Sequence, residues 1–573
     1  MMRQDIRIFA HCNCLLTLLI VPLLATAQET SAIPRHRVVD WSAAGVEYEI
    51  PRQVDLEIDI GALKLANQAL NDDAAFAGAL EQARAFRRSH PSARIALMFP
   101  SGVYTFHSGI IFDPELDSNL IIRGEGSDRT ILNFTQSSGN LFQMSGRGPQ
   151  SAPIRLDASV GFAKGSRTIK TESSTNGIAQ GDFIELVQSN GPWIGNYDGG
   201  PGTPPEDVIG QIVRVRTVGS DRMTLGLFDE LRLDYRADLS PRIRLIQLIR
   251  NVGIENFRIN GVTTSTEDGG PSNFSFNYAV NCWLWGIESD NTVSAHVGIG
   301  TSSHIEVRGS YFHDATAYGG GGHGYGVSIG GRSTNCLVED NIFSRLRHAM
   351  IISRGANGNV YGYNYSREQL DDNPRFPIHY READISIHGH YPFANLFEGN
   401  QVTYVVADNW WGDNGPYNTL FRNFVEPGDI VLERADHTNV VGNELGLEDP
   451  GQGVDDDGGL TFDANRDYGS EEGTILDLFG FFGSADGSVR PLTHSESTEQ
   501  VDFYTGGFLN DVSYYLAKQP SFLRGYSWPP FGPEPAESIE RGSMKRSIPA
   551  RDRWGNAVKT AAAPPLISTR SQK

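Results

Sequence analysis

The chain has 573 residues, of which 39% are hydrophobic and 10% aromatic, and it carries a formal net charge of −21. That length exceeds what one small core needs, and the apolar content excludes an extended disordered polymer. The acidic balance excludes nucleic acid as the expected partner, because phosphate backbones are held by basic surface.

Residues 1–27 read as an export signal. Arg3 and Arg7 precede the apolar run CLLTLLIVPLLA, and Ala25-Thr26-Ala27 supplies a small-x-small cleavage pattern. The run is short for a bilayer span and no later segment is long enough. The mature chain is therefore expected to be secreted, to the periplasm or the exterior, off the membrane and monomeric. Cleavage would remove Cys12 and Cys14 and leave Cys282 and Cys336. Their similar settings, VNCWLWG and TNCLVED, suggest related positions in a repeat, with buried thiols as the expected state. No zinc-type Cys/His spacing is present.

Residues 28–145 contain DDAAFAGALEQARAFRRSH (72–90), with apolar residues at helical spacing. This predicts a helix that caps the open end of a coil stack. IALMFPSGVYTFHSGIIF and NLIIRGEGSDRTILNF then read as the first coils. Residues 146–245 break that rhythm. GSRTIKTESS, QGDFIELVQ, GQIVRVRTV and DRMTLGLF predict the strands of a small inserted β module. Its loop 190–207, with Trp193 and Tyr197, is long enough to lie over a cleft.

Residues 246–450 repeat. TNCLVEDNIFS, GNVYGYNYS, ANLFEGNQV, NTLFRNFV and NVVGNELG each open on or beside an Asn, continue with a short β-prone run and reach a second Asn. The leading positions are 251, 281, 304, 335, 359, 395, 418 and 439, so most coils span 21–24 residues and some carry inserted loops. Short strands at this period fit a parallel β-helix, in which equivalent positions stack about 4.8 Å apart. Asn side chains stacked from coil to coil can bond one another as ladders. The regular leucine frame of a leucine-rich repeat is absent. Residues 451–573 form an acidic linker and a C-terminal covering segment. DPGQGVDDDGG, at the start of the linker, could bind calcium but lacks the spacing of a calcium loop.

Pro100–Tyr104 and Ile122–Leu132 match the patterns P-x-G-x-Y and I-x-G-x-G…T-x-L. With the repeat, they make residues 38–145 and 245–450 resemble the pectate-lyase-like superfamily of secreted right-handed parallel β-helix proteins. The resemblance implies an all-β solenoid with the N-terminal capping helix and the inserted module. It also implies a polysaccharide substrate, although one fold hosts many activities.

Counting back from Asn335, Asn359, Asn395, Asn418 and Asn439 gives columns expected to stack. Val327, Ile351, Ile387, Trp410 and Val431 form an apolar column expected to face inward. Gly330, Arg354, His390, Asp413 and Arg434 form a second column. A third holds Ser328, Ile352, His388, Trp411 and Leu432, and a fourth holds Gly324, His348, Asp384, Ala407 and Gly428. The count makes His348 and Asp384 axial neighbours, and brings Arg354, His390 and Asp413 together. A slip of one residue would turn these side chains to the other face.

Three chemistries remain open. A lyase needs a base and a cation beside a uronate carboxylate. His388 or His390 supplies the base with Arg354 as the cation, or His348 does so, oriented by Asp384. Calcium, the one cofactor considered, could replace the Arg. A hydrolase needs two carboxylates roughly 5–9.5 Å apart. Asp384, Asp408 and Asp413 are candidates, with Asp408 expected to point inward or lie at a strand edge. A non-catalytic binding protein would use Trp410, Trp411, Tyr363, Tyr365 and Tyr391 as platforms. Trp411, Tyr365, Arg347 and His323 are the expected substrate contacts. His323 lies in GHGYGVSIGG, which is similar to a polygalacturonase segment, but the Asp-Asp and Arg-Ile-Lys motifs of those enzymes are missing. The lyase is the leading expectation.

Overall fold

The computed structural model describes residues 31–445, 460–462, 509–532 and 545–554, apart from 32, 34, 67–70, 137, 161, 196–203, 262–268, 373–382, 427–429 and 434. The export signal, most of the 451–573 segment, Tyr197 and Arg434 therefore lie outside the described residues. None of the described helices is long and apolar enough to cross a membrane.

Three long parallel sheets share one axis. The first has eleven strands, from Leu56–Asp59 to Asn439–Val441. The second and third have ten each, ending at Glu444–Leu445 and Leu460–Phe462. Every coil gives one strand to each sheet in turn, so the chain winds as a right-handed parallel β-helix, the hand that parallel crossovers adopt. The core runs down the inside. In the third sheet, Val297, Val327, Met350, Ile385, Val405 and Ile430 stack as one buried column.

From Gly253 onward the corner between the first and second sheets does not vary. In eight successive coils two residues join the strands. The first is left-handed every time: Asn256, Gly286, Gly309, Asp340, Tyr363, Gly399, Arg422 and Gly442, with φ between 52° and 67°. The second points inward, and in five coils it is Asn. Asn341, Asn364, Asn400 and Asn423 each donate from Nδ2 to the Oδ1 of the next, ending at Asn443, at 2.8–3.0 Å. A shorter ladder joins Asn359, Asn395 and Asn418, each bond 3.0 Å. A buried amide so placed satisfies its own polar atoms and the backbone of two coils.

The leading asparagines of the repeat fall in three columns, not one, the last held by Asn439, which aligns with Thr419 one residue beyond Asn418. Asn251, Asn281 and Asn335 hold the left-handed corner position, with φ of 57°, 53° and 58°, a conformation Asn tolerates. Asn359, Asn395 and Asn418 sit one residue later and face inward, level with Cys282 and Cys336 of earlier coils. The two cysteines are free and buried, and burial pushes their thiols up to about 12.

The helix Asp72–Ser89 packs Ala75, Phe76, Ala79 and Leu80 onto the first coil, with Phe76 and Phe99 stacked at 6.0 Å. Asn71 caps it by accepting from Ala74 N–H at 2.8 Å. Strands between Gly148 and Gln247 form an antiparallel sheet inserted between two coils. It docks on the corner between the third and first sheets, where Arg332 pairs with Glu185 at 2.7 Å and buried Arg232 donates to Asn335 and Asn357. Trp193 stays within this module, under the Arg236 guanidinium at 5.2 Å. The C-terminal segment covers the first sheet. Buried Arg422 holds it by donating to the carbonyls of Leu509, Asp511 and Phe531.

Candidate active site

The third sheet carries most of the predicted site residues on its outer face. Its strand Ile385–His388 pairs with Val405–Asp408, placing His388 beside Asp408 although twenty residues separate them. His388 Nδ1 lies 2.7 Å from Asp408 Oδ2. The second carboxylate oxygen accepts from Trp410 N–H at 3.0 Å, so Asp408 also fixes the turn that presents Trp410 and Trp411. Gly389, at φ +60°, leaves room for this turn, since a Cβ there would meet Trp411 at 2.8 Å. The Trp411 ring stands edge-on to His388 at 6.3 Å and tilts toward His390 at 5.6 Å.

Four more sequence-predicted residues gather here. Arg354 is exposed, forms no ion pair among the described residues, and its N–H donates to Gly389 O at 3.2 Å. Burial, then the charges of Arg354 and His388, lower the His390 imidazole to about 4, so it is neutral at ordinary pH. His348 stacks on Tyr325 at 5.4 Å. Burial and the Arg347 cation hold it well below the usual histidine range. Arg347 lies 6.0 Å from the Tyr325 ring, pairs with Asp371 at 3.0 Å and donates to Gly319 O, tying two loops to the groove edge.

The structure separates others. Asp384 does not orient His348. It aligns with Ala349, is fully buried, and accepts from Thr403 and Tyr404 N–H at 2.6 and 3.0 Å, while His348 Nδ1 meets Ala383 O. Burial raises the Asp384 carboxyl. Asp413 keeps to the turn, its carbonyl accepting from Tyr391 N–H at 2.9 Å. Tyr365 belongs to the second sheet and packs against Trp554, 5.6 Å between rings. His323 is buried against Gly320 O at 2.8 Å.

The expected inward column also fails. Ile351 aligns with Ser328 and Ser386, and Val431 with Val406, all on the outer face, while Trp410 sits exposed in the turn. Ile352 faces inward beside Ile329 and Ile387. There are two causes: the leading Asn moves one residue along the coil at Asn359 and again at Asn439, and the corner between the third and first sheets lengthens from seven residues (Ile329 to Cys336) to eleven (Ala407 to Asn418). Asp408, expected to point inward or lie at a strand edge, ends its strand on the outer face as the partner of His388. Pairing DISIHG directly with YVVADN would have found it.

Ahead of the dyad, Gly298, Gly300, Ser328 and Gly330 occupy the outer positions of two adjoining coils, and the next coil sets buried Ile351 between Ser328 and Ser386. The donor set here is imidazole and guanidinium with one carboxylate, which does not fit the six to eight oxygens that calcium takes. Among the described residues, the group whose atoms could hold a metal is Asp290, His313 and Asp314, on the second sheet. Arg258 already pairs with Asp290, and Arg345 with Asp314, each at 2.7 Å.

No protein-family model and no curated protein matches the chain. Solved structures match by shape. The tailspike of Pseudomonas phage phi297 does so with a TM-score of 0.44 and 11% identity, over 72% of this chain and 63% of that one. The tailspike of Acinetobacter baumannii bacteriophage AP22, solved with a capsular saccharide, gives 0.37 and 14%, over 73% and 68%. The A-module of an Azotobacter vinelandii mannuronan C-5 epimerase gives 0.32 and 10%, over 68% and 77%. The chain thus spans less than two thirds of the phi297 tailspike. What it has in common with these proteins is architecture, and by its own three sheets it is a right-handed parallel β-helix protein.

Proposed function

We propose that this chain is an exported enzyme that cleaves a uronate-containing polysaccharide by β-elimination. The observation that carries the reading is the His388–Asp408 pair at 2.7 Å, set beside exposed Arg354 on the outer face of the third sheet. Trp410 and Trp411, in the turn beside the pair, offer flat faces for sugar rings.

The carboxylate of Asp408 accepts from His388 Nδ1–H and leaves the Nε2 lone pair to act as base. His388 takes the proton on the carbon next to the uronate carboxylate. The released electron pair moves into that carboxylate, where Arg354 offsets the growing charge. The pair then returns to form a carbon–carbon double bond as the glycosidic C–O bond breaks, and the leaving oxygen takes up a proton. His348 and His390, both held neutral, line the site without adding competing charge. A hydrolase is less well supported, because Asp408 is committed to His388 and Asp384 is buried.

The test is ultraviolet absorbance of the mature protein with polygalacturonate and with alginate, alongside His388→Ala and Arg354→Ala. An unsaturated product that vanishes in His388→Ala supports the reading. Reducing ends released without absorbance would move it to hydrolysis. Binding without either would leave a non-catalytic glycan-binding protein.

A further inference from the structure

On the other side of the solenoid a cavity of about 330 Å³ is lined by Pro51, Arg52, Arg123, Glu255, Asn256 and Trp285. We infer that it is a second saccharide site, one that holds an acidic sugar unit away from the proposed catalytic pair. The inference rests on the polyuronate reading above for its ligand class.

Trp285 and Trp410 are the two exposed tryptophans among the described residues, at 38% and 39%. Trp410 belongs to the proposed active site, and Trp285 has a comparable construction. It ends a first-sheet strand, paired on both sides, so its backbone is rigid. Its ring lies against Gly309 of the next coil, where a Cβ would sit 3.5 Å from the indole nitrogen. Such a ring offers its face to the C–H groups of a sugar, and an aromatic of this kind gives contact area at little entropic cost.

The polar groups fix the ligand class. Glu255 is spent within the protein, accepting from Arg123 Nε at 2.6 Å and from Trp283 Nε1 at 2.8 Å. It braces Arg123 at the cavity edge. Arg52 is exposed and forms no ion pair among the described residues. Two guanidiniums and one neutralised carboxylate leave this patch cationic on a chain of net charge −21. A guanidinium beside an aromatic face suits a carboxylated ring over a neutral one. The volume suits one or two sugar units. Trp285 lies three coils before His388, roughly 14 Å along the axis, so a long polymer can occupy both places while a short oligomer cannot.

The experiment is affinity electrophoresis of the full mature chain through gels containing polygalacturonate or alginate, in a His388→Ala background that prevents turnover. Trp285→Ala and Arg52→Glu should each weaken retardation about tenfold in apparent affinity, and Trp285→Phe should retain most of it. Arg52 is exposed, so its charge reversal tests the site even if Trp285→Ala folds poorly. In the otherwise native chain these variants should lower the rate on long polymer and leave a trisaccharide unaffected. Unchanged retardation in both variants, or no retardation of the parent in either gel, overturns the site. Loss of retardation with no unsaturated product from the native chain would uphold this site and overturn the lyase.

Discussion

His388 and Asp408 meet at 2.7 Å across adjacent strands of the third sheet, and the same carboxylate anchors the turn that carries Trp410. One side chain thus holds both the imidazole proposed as the base and the turn that presents the Trp410 ring. Asp408→Asn retains an acceptor for Trp410 N–H but no longer holds the Nδ1 proton firmly. Turnover should fall by about 100-fold or more with little change in binding, measured as initial absorbance rates beside circular dichroism.

His390 predicts an acid-sensitive contribution to stability. Its imidazole falls from the ordinary 6.5 to about 4 in the folded chain, so the unfolded chain binds the extra proton between these values. The stabilisation is present above pH 6.5 and is lost as pH falls toward 4, on the order of 3 kcal/mol in full. His390→Asn keeps a residue that tolerates its φ of 48° and removes the titration. Chemical denaturation at pH 4.5 and 7 should show a smaller acid loss in the variant.

Glu398 works in the opposite sense. Burial raises its carboxyl from 4.5 to about 7, against the contrary pull of Ser513, Tyr514 N–H, Tyr363 and the Arg422 charge. The folded chain keeps a proton that the unfolded chain releases. Stability is therefore fullest below pH 4.5 and declines as pH rises through 7, again on the order of 3 kcal/mol. Glu398 accepts from Tyr363 OH and Tyr514 N–H at 2.9 Å each, so the loss should loosen the C-terminal segment first. Glu398→Gln should flatten this limb, read by hydrogen exchange of residues 509–532 between pH 4.5 and 7.5.

The ladder makes a third stability prediction. Asn400 accepts from Asn364 N–H and Nδ2 at 3.0 Å each, and donates to Tyr361 O and Asn423 Oδ1 at 2.9 Å. Asn400→Ala orphans several buried groups at once and should cost about 3–5 kcal/mol. Among the described residues Asn443 ends the ladder, accepting from Asn423, so Asn443→Ala should cost less. Urea midpoints of the two variants decide the order.

The solenoid was legible because its period is written in residues that the corners demand. The inward Asn of each fixed corner, 341, 364, 400, 423 and 443, is the second Asn of each repeat. The site was legible only in part. His388, His390, Arg354, His348 and Trp411 do gather on one face, because they flank strands of a single sheet. Their pairing was not, because Asn serves two purposes one residue apart, and because Trp410, Trp411 and Gly412 lengthen one corner. Counting from the asparagines carried both errors into the strands, and it cost Asp408 its place. Asp384 misled for a third reason: it aligns with Ala349 at the edge where the third sheet turns, so an acidic residue there serves backbone amides.

The corner with two residues in eight successive coils resets the chain at every turn of the helix. Length changes in the other corners, up to a whole antiparallel module, stop there and do not carry forward. Ligand-facing segments of such a molecule are therefore exchangeable parts. A loop moved from one coil to another, or a module removed between Gly148 and Gln247, would leave the phase of every later strand intact.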